Sequence, residues 1–345
     1  MKKQHFILIL WAIFGTTPLY SQDIHFSQFY LSPVHFNPAY SGALKDIDIS
    51  MQYKGQWKTI DKGYRTFGAN VSSRLNYKRI KKNFWAMGIS ALGDQVSLQK
   101  LLSLRVNIPI AHTVKLNTLN TLTNAISLGF GQNVLKDENF SWGAQYNGMN
   151  YDPALPTNEI PYINQFSFLD IGYGFSWNYN QQTRTVSDVR GFSNTFGFSA
   201  SHINRPIFSF NENSNERLDI KYIFFESATI HLKNSKISWN PSLLYQIQGG
   251  HREFILGTLI RYELEQESRI TGFREGSAIS AGVFVRNKDA VVFSSLYEFS
   301  NFQIGISYDV NTSELNYSTS FRGGLEICLK YITPSPFSMG GRSLF

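Results

Sequence analysis

The chain has 345 residues, of which 42% are hydrophobic and 15% aromatic but only 17% are charged, and its formal net charge is +7. Soluble domains usually carry about a quarter charged residues, and aromatic side chains favour strands, so this composition is unusual for a soluble domain. The charge, spread over this length, is too small to indicate a polyanionic partner, and we expect no nucleic-acid partner.

The first residues have the pattern of a secretory signal peptide. Lys2 and Lys3 precede an apolar run over residues 6–14, and a small residue stands just before Gln22. This order predicts a leader over residues 1–21, so the mature chain begins at Gln22 and lies beyond the inner membrane. The apolar run is too short to cross a bilayer, because a helical span needs about 20 residues.

Residues 22–45 form the next segment, which carries no clean alternation of apolar and polar side chains. It contains Pro33 and Pro38, which cannot join a central β-ladder. It also holds five large apolar side chains, Phe26, Phe29, Tyr30, Phe36 and Tyr40. Each gains about 1.5 to 3 kcal/mol on full burial. We therefore predict an extended, ordered and buried N-terminal arm.

Strand patterns begin at residue 46 and continue to residue 333. The predicted strands are 47–55, 64–75, 84–93, 101–113, 121–133, 166–179, 192–204, 219–232, 237–248, 253–264, 277–286, 290–298, 301–310 and 322–332. Many are close to the roughly 9 to 11 residues that a tilted strand needs to cross a bilayer.

The two faces of these strands differ in composition. Along residues 171–179, large apolar side chains alternate with Gly172, Gly174, Ser176 and Asn178. A soluble sandwich would carry Lys and Glu on its polar face, whereas small and uncharged polar residues opposite an apolar face are typical of outer-membrane barrels. No later stretch is long enough for a spanning helix, and a closed barrel also satisfies every backbone group in lipid.

The predicted fold class is therefore all-β, a transmembrane antiparallel β-barrel of about 14 strands over residues 46–333. The arm is predicted to plug the lumen or the periplasmic mouth, and residues 334–345 form a C-terminal tail. An even strand number places both chain ends on one side, taken as periplasmic. The long connection 134–165 then lies outside the cell, as a lid, a partner-binding loop or a variable surface loop. The basic cluster at residues 78–82 is a solvated turn or a contact for an acidic periplasmic partner.

Motifs for catalysis or cofactor binding are absent from the sequence: there is no phosphate loop, no HExxH and no paired CxxC. Asp46 and Asp48 are predicted to lie on a polar rim, with calcium binding as the alternative. The single cysteine, Cys328, excludes an intrachain disulfide and is interpreted as a small filler on the polar wall. We predict no metal and no cofactor.

One histidine offers an enzyme alternative. Outer-membrane esterases need a serine, a histidine and a polar orienting group on the barrel wall. His202 near Ser199 and Ser201 is the only nucleus for such a site, and a histidine at the rim is the simpler interpretation. We therefore predict a noncatalytic protein.

The start of the predicted mature chain carries a specific pattern. From Gln22 it reads Gln-Asp-Ile-His-Phe-Ser-Gln-Phe-Tyr, and residues 37–42 read Asn-Pro-Ala-Tyr-Ser-Gly. This resembles the opening signature of the PorP/SprF family of outer-membrane proteins from the type IX secretion system. The resemblance makes eight signature residues candidates for arm or partner binding: Phe26, Ser27, Gln28, Phe29, Asn37, Pro38, Ala39 and Gly42.

Weaker motifs follow in the order of the family, so the resemblance covers essentially the whole mature chain. Residues 196–202, 239–244 and 305–309 are similar to strand motifs of the family. Residues 322–327 stand where many members have Ser-His-Glu-Ile, and the histidine is lost here. Any role of that histidine is therefore not carried over to this chain.

The resemblance implies a barrel in contact with outer-membrane lipid that supports export or surface anchoring of particular cargo. Such cargo carries C-terminal targeting domains and includes gliding adhesins. The resemblance also implies contact with the type IX machinery, its periplasmic ring and peptidoglycan-associated proteins. The inner wall, rich in Gly, Ser and Asn, leaves an outer-membrane pore for small solutes as the alternative.

Overall fold

The computed structural model describes residues 25–56, 63–75, 83–96, 101–135, 142–157, 163–184, 189–233, 235–265, 275–312 and 322–334. For residues 182–184, 189–190 and 322 the description covers the backbone alone. The predicted leader, the basic cluster at 78–82 and the tail beyond residue 334 lie outside the described residues.

Fourteen strands make up the sheet. They are β1 (Ile47–Gln56), β2 (Tyr64–Arg74), β3 (Asn83–Val96), β4 (Leu101–Lys115), β5 (Asn120–Leu135), β6 (Gln165–Arg184), β7 (Val189–Ser201), β8 (Lys221–His231), β9 (Ile237–Gln248), β10 (His251–Glu265), β11 (Ser277–Arg286), β12 (Ala290–Phe299), β13 (Phe302–Asn311) and β14 (Arg322–Thr333). Each strand pairs antiparallel with its sequence neighbours, and β1 pairs with β14 to close the barrel. The predicted fold class and strand number are confirmed.

The seam between β1 and β14 has a regular register. Ile47 lies opposite Thr333, and Lys54 lies opposite Glu326. Closure leaves no unpaired sheet edge, which is the requirement for a sheet in lipid.

The apolar face of the sheet points outward. In β13, Ile306 and Tyr308 are 49% and 42% exposed, whereas Ser307 and Asp309 between and beside them are each 1% exposed. A water-soluble barrel would have the opposite arrangement, because its apolar side chains would fill the interior. The outward wall therefore suits contact with acyl chains, as the alternation predicts.

Among the residues that the structure describes, the helical elements are three short 3₁₀ helices, Pro33–His35, Pro38–Tyr40 and Gly143–Gln145. Within the described ranges no helix has the length and apolar character needed to cross a membrane.

The two rims of the barrel differ. The chain-end rim holds the start of β1, the end of β14 and short turns such as residues 116–119 and 300–301. The opposite rim, called the distal rim, holds the end of β5, the start of β6 and the connection 202–220 between β7 and β8. The start of β1 and the end of β14 thus lie on one rim, as an even strand number requires, whereas the arm runs back through the lumen and places His25 beside Glu253 near the distal start of β10.

The predicted long connection has internal structure where it is described. Its 3₁₀ helix is followed by a bridge between Tyr146 and Tyr151. The side-chain amide of Gln145 donates to the carbonyls of Pro153 at 3.3 Å and Leu155 at 3.0 Å. Tyr146 is 58% exposed. Residues 142–157 are therefore a compact loop with its own hydrogen bonds, and its role stays a prediction.

The inner wall carries an apolar patch that the sequence interpretation missed. The buried side chains of the patch are Ile223, Phe225, Leu244, Ile255, Leu259, Phe284 and Val292. On β8 the outward Tyr222 and Phe224 are apolar too, so Tyr-Ile-Phe-Phe shows no alternation. The expectation of a uniformly small and polar inner wall is wrong for β8–β12, because apolar residues on both faces hide the period of two.

Candidate functional site

The candidate site is the contact between the N-terminal arm and the inner wall. The arm, described from residue 25, is not extended throughout, because it contains the 3₁₀ helices Pro33–His35 and Pro38–Tyr40. Proline suits the first position of a helical turn, where its missing N–H costs nothing. Asn37 caps the second helix, with Oδ1 accepting the backbone N–H of Ala39 at 2.9 Å. The prolines that exclude the arm from the ladder thus fold it into turns.

A single carboxylate of β14 holds the first signature residues. Glu326 Oε2 accepts the backbone N–H of Ser27 at 2.7 Å, and Oε1 accepts that of Gln28 at 2.9 Å. The Gln28 side-chain amide also donates to the Glu326 carbonyl oxygen at 3.2 Å. Charged acceptors make the stronger hydrogen bonds, and here both carboxylate oxygens are used on consecutive amides.

Two cations and a second carboxylate complete this contact. Lys54 Nζ lies 3.2 Å from Asp309 Oδ2 and 3.9 Å from Glu326 Oε2. Arg286 donates to Asp309 Oδ2 at 2.7 Å. The Ser27 hydroxyl donates to Asp309 Oδ2 at 2.8 Å and accepts from Lys54 Nζ at 2.8 Å. Because buried charges are stable only when paired, the four groups form one ion-paired cluster around Ser27, and Arg286 also pairs with Asp289. We call Lys54, Arg286, Asp309 and Glu326 the seam cluster, since Lys54 and Glu326 face each other where β1 meets β14.

The aromatic signature residues pack on the apolar patch. Phe29 is 3% exposed and meets Phe225 and Phe284 edge to face, with ring centroids 5.9 and 5.7 Å apart. Tyr30 stacks on Phe284 at 5.1 Å. Phe26 is also buried, with its ring 5.9 Å from that of His35. Such geometries are the favoured ones for aromatic pairs, so the patch and the arm form one core.

The second half of the signature binds β6 and β7. Asn37 Nδ2 donates to the carbonyls of Phe175 at 3.1 Å and Phe198 at 3.2 Å. Ala39 is fully buried among small side chains of the facing wall, Ala86, Ala111 and Ala125. The side-chain oxygen of Asn37 therefore stabilises the turn of the arm, and its side-chain nitrogen binds the barrel wall.

Two inner-wall glycines make room for these residues. A Cβ on Gly174 would overlap Asn37 Oδ1 and lie 2.8 Å from Pro38 Cγ. A Cβ on Gly197 would overlap the Tyr40 hydroxyl and lie 2.8 Å from Asn37 Nδ2. The small inner face noticed in the sequence is thus the surface on which the signature sits.

Gly42 ends the signature in a left-handed conformation, with φ of +67°. Its carbonyl accepts from Arg74 Nε at 2.6 Å, and the Ala43 carbonyl accepts from a second nitrogen of Arg74 at 3.0 Å. The third nitrogen of Arg74 pairs with Asp46 at 2.7 Å. Only glycine adopts this φ without strain, and the turn delivers two carbonyls to one guanidinium.

The two aspartates considered for calcium are both in ion pairs. Asp46 pairs with Arg74, and Asp48 Oδ2 lies 2.9 Å from Lys330 Nζ. No group of three His, Cys, Asp or Glu that could hold a metal occurs among the residues that the structure describes. Lys330 also donates to the Leu31 carbonyl at 2.6 Å, so this pair is another support for the arm. Cys328 is a buried thiol outside any disulfide and lies near Leu31.

The structure assigns Ser199, one of the two serines considered for an esterase, to a different contact. His202 Nδ1 lies 2.9 Å from Asp170 Oδ1, which is a histidine with a carboxylate partner. The Ser199 hydroxyl, however, donates to the Phe36 carbonyl of the arm at 2.6 Å. Ser199 is therefore an arm contact and is not directed at His202.

Both arm histidines are held in their neutral form. Burial lowers the pKa of His25 to about 4, even though Glu253 Oε2 lies 3.5 Å from its Nδ1 and raises it. Burial also lowers the pKa of His35 to about 4, with a smaller contribution from Lys330. The ring of His35 contacts the Ser90 hydroxyl through Nδ1 at 2.7 Å. Desolvation disfavours the charged imidazole in both cases.

Sequence reasoning found the arm side of this site but missed the barrel side. The missed residues are Lys54, Arg74, Arg286, Asp309 and Glu326. A signal was present, since each is a charged residue at an inward position of a strand whose outward positions are mostly apolar. Charged residues inside a barrel have no water face to explain them, which marks them as paired or functional.

Comparison with known proteins places these features in a family. The model of the family described as type IX secretion system membrane protein PorP/SprF matches residues 19–331. A search of curated proteins gave no match.

Solved structures with a similar course of the chain are distant. A FadL homologue from Pseudomonas aeruginosa has a TM-score of 0.44 and 10% identity, covering 87% of this chain and 93% of that one. The toluene transporter TodX from P. putida has a TM-score of 0.44 and 8% identity, covering 86% and 92%. The fold assignment therefore rests on the strand pairing of the chain itself and the family assignment on the matched residues. The chain belongs to the PorP/SprF family of type IX secretion system membrane proteins and is an outer-membrane β-barrel.

Proposed function

We propose that this barrel is a noncatalytic docking component that supports export or surface anchoring of particular cargo proteins. Its partners in this proposal are cargo with C-terminal targeting domains, such as gliding adhesins, and periplasmic ring or peptidoglycan-associated proteins. Family membership supports a role in type IX secretion. The contact between the arm and the inner wall supports the more specific proposal of a docking component, because the signature residues hold the arm against the inner wall.

We further propose that the arm is the plug of the barrel. The arm lines cavities on both of its sides, one of about 90 Å³ beside His202 and one of about 400 Å³ at the chain-end rim. A lumen filled in this way transmits no small solute while the arm stays docked. The barrel then serves as a scaffold whose two mouths offer separate surfaces.

The cellular test is deletion of the gene in the parent bacterium. Particular surface proteins should disappear from the cell, while general secretion continues in part. Complementation with Phe29→Ala should restore them poorly, because the arm loses its aromatic anchor. Phe302→Ala is the matched control, since that ring is 57% exposed on the outward wall. An unchanged surface proteome in the deletion strain would contradict the proposal.

Planar-bilayer conductance separates the plugged scaffold from the solute pore. The purified wild-type barrel should be silent, and Phe29→Ala should produce open events. A stable open channel in the wild-type protein would favour the pore instead. A serine-reactive probe that labels the barrel, with labelling lost in His202→Ala, would contradict the noncatalytic assignment.

A further inference from the structure

The outward wall of the barrel carries a carboxylate far from either rim. Glu226 stands in the middle of β8, five residues from each end, and its side chain is exposed. The residue before it, Phe225, is 4% exposed and points inward, so the alternation of the strand directs Glu226 outward. Among the outward strand positions whose side chains the structure describes, Glu226 is the one Asp or Glu that does not stand at a strand end.

Glu226 lies midway between two aromatic levels of this wall. Four residues nearer the distal rim, Tyr222 is exposed on the outward face. Four residues nearer the chain-end rim, Ile230 lies opposite the exposed Trp239. Aromatic side chains of outer-membrane barrels concentrate at the two interfaces of the bilayer, so Glu226 lies within the apolar band between them. A charged group that faces acyl chains at this depth is costly and marks a candidate functional site.

The chain itself satisfies only part of this carboxylate. Asn194 Nδ2 donates to Glu226 Oε1 at 3.1 Å, and in the described part of the chain no Lys, Arg or His pairs with Glu226. The residues opposite Glu226 on the neighbouring strands are Phe196 of β7 and Leu243 of β9, which are both apolar. A neutral amide does not balance a negative charge, so this position favours a cation supplied from outside the chain.

The wall beside Glu226 is formed by small or short side chains. Ala228, Pro241 and Thr258 occupy outward positions on three successive strands, β8, β9 and β10. Pairing of β8 with β9 is interrupted between Ser227 and Ile230, and Pro241 has no N–H to give to the ladder. Small residues allow the backbone of a second protein to approach closely within a membrane. We call the following residues the lateral patch: Asn194, Glu226, Ala228, Pro241 and Thr258.

We propose that the lateral patch docks a second, different membrane-embedded protein, which presents an arginine or lysine to Glu226 within the bilayer. A cation of this kind pairs with the carboxylate and removes its cost in lipid. A second copy of this chain does not fit, because the outward arginines that the structure describes, Arg65 and Arg252, stand second in their strands at the distal rim. A symmetric pair centred on the patch would also bring two Glu226 carboxylates together. This inference goes beyond the proposed function and depends on the membrane location of the barrel alone.

A stability measurement tests whether the carboxylate serves the barrel itself or a partner. Glu226→Leu removes the charge from the lipid-facing wall, so the purified variant in lipid vesicles should unfold at a higher urea concentration than the wild type. Ile306→Leu is the control, because it exchanges one exposed apolar side chain of the outward wall for another, and its midpoint should not move. An unchanged or lower midpoint for Glu226→Leu would mean that the isolated barrel bears no cost for the carboxylate, and would overturn the inference.

Photo-crosslinking of the full chain in living cells identifies the occupant. The photoreactive amino acid p-benzoylphenylalanine replaces Phe224, an outward ring two residues from Glu226 that is 37% exposed. Tyr53 is the matched control position, because it is 41% exposed on the outward wall. Each of the two is the fourth residue from the distal end of its strand, and their strands, β8 and β1, lie on opposite sides of the closed barrel. We expect one membrane protein to be crosslinked from position 224 and not from position 53, through a membrane segment that contains Arg or Lys.

Two substitutions test the charge. Glu226→Gln keeps the shape of the side chain but removes its charge, so the yield of that crosslink should fall about tenfold, as the loss of one ion pair predicts. Glu226→Asp keeps the charge and should retain most of the crosslink. Replacement of the partner's basic residue by glutamine should reproduce the loss.

Four results would overturn the inference: crosslinks to lipid alone, crosslinks to another copy of this chain, a partner without Arg or Lys in its membrane segment, or an equal crosslink yield from Glu226→Gln. Closed-barrel mobility in electrophoresis confirms that each variant is folded. If deletion of the gene strips surface proteins while position 224 crosslinks lipid alone, the inference fails and the proposed function stands. A crosslink that depends on Glu226, together with an unchanged surface proteome, would instead support the lateral patch and contradict the proposed function.

Discussion

At the scale of single residues, Glu326 occupies a position that restricts both the charge and the size of the side chain. It is fully buried, it accepts two consecutive backbone amides of the arm, and it lies 3.9 Å from Lys54 Nζ. A neutral amide of the same shape can accept only one of those N–H groups, because its nitrogen is a donor. The residue is therefore specified by charge as well as by size.

We predict that Glu326→Gln weakens docking of the arm by about 1 to 3 kcal/mol, because it leaves one buried amide unpaired and one cation under-compensated. Hydrogen exchange at the amides of Ser27 and Gln28 measures this loss directly. Glu226→Gln is the control, since Glu226 is exposed and accepts from Asn194, its one partner among the described residues. Equal protection of the two amides in Glu326→Gln and wild type would contradict the prediction.

The inner-wall glycines give a second residue-scale prediction. Gly174→Ala should displace Asn37 and Pro38 and expose the arm to protease, because the new Cβ overlaps Asn37 Oδ1. Gly172→Ala is a matched control on the same strand, where the nearest atom to a new Cβ is the Ala200 carbonyl oxygen at 3.4 Å. Overpacking costs about 1 to 3 kcal/mol, whereas ordinary contact is tolerated. Identical cleavage rates in the two variants would count against this docking surface.

At the scale of elements, the arm is expected to respond to pH. Both His25 and His35 have a pKa that burial lowers from 6.5 to about 4. Above pH 6.5 the docked and the free arm both carry neutral rings, so the two histidines make no pH-dependent contribution to docking. As the pH falls from 6.5 towards 4, the free arm takes up protons that the docked arm does not, and docking weakens by up to about 3 kcal/mol per ring.

Hydrogen exchange of residues 25–45 at pH 7 and pH 4.5, corrected for intrinsic rates, tests this response. Wild-type protection should fall at the lower pH. The double variant His25→Gln, His35→Gln lacks the titrating rings, so its protection should change much less. Wild-type protection that is the same at both pH values would show that the two rings do not control docking.

The strands and the arm differ in how much of their structure the sequence predicts. All fourteen strands were predictable, because stretches such as β13 alternate without interruption and lipid requires one apolar face. Burial of the arm followed from Phe26 and Phe29. The turns of the arm were missed although Pro33 and Pro38 stand at their starts, because a local 3₁₀ helix has no periodic signal.

The partners of the arm were beyond sequence reasoning for a different physical reason. Ser27 bonds to Glu326, which is 299 residues away, and Ser27 also bonds to Asp309. Such contacts depend on closure and register of the whole sheet, which local patterns do not encode. A lone charge on an inward position indicates that a partner exists but does not identify it.

At the scale of the whole molecule, the outward wall should behave as a lipid-facing surface. Leu128 lies near the middle of β5 and is 53% exposed, whereas Leu116 lies in a turn of the chain-end rim and is 58% exposed. We predict that Leu128→Arg destabilises the barrel by about 2 to 4 kcal/mol and Leu116→Arg by about 0 to 1 kcal/mol, because the cost of arginine depends on depth. Urea titration of folding in lipid vesicles measures both. Equal destabilisation by the two substitutions would mean that the effect of arginine on the outward wall does not depend on membrane depth.

The position of the seam cluster sets an order of assembly. Lys54 belongs to the first strand and Glu326 to the last, so the anchor for Ser27 does not exist until the C-terminal strand has been synthesised and has joined the N-terminal one. The arm residues, which are synthesised first after the leader, can therefore dock only after almost the whole chain has been synthesised. A docked arm therefore shows that the barrel is complete and closed, because an unfinished or open barrel lacks the seam cluster that binds Ser27.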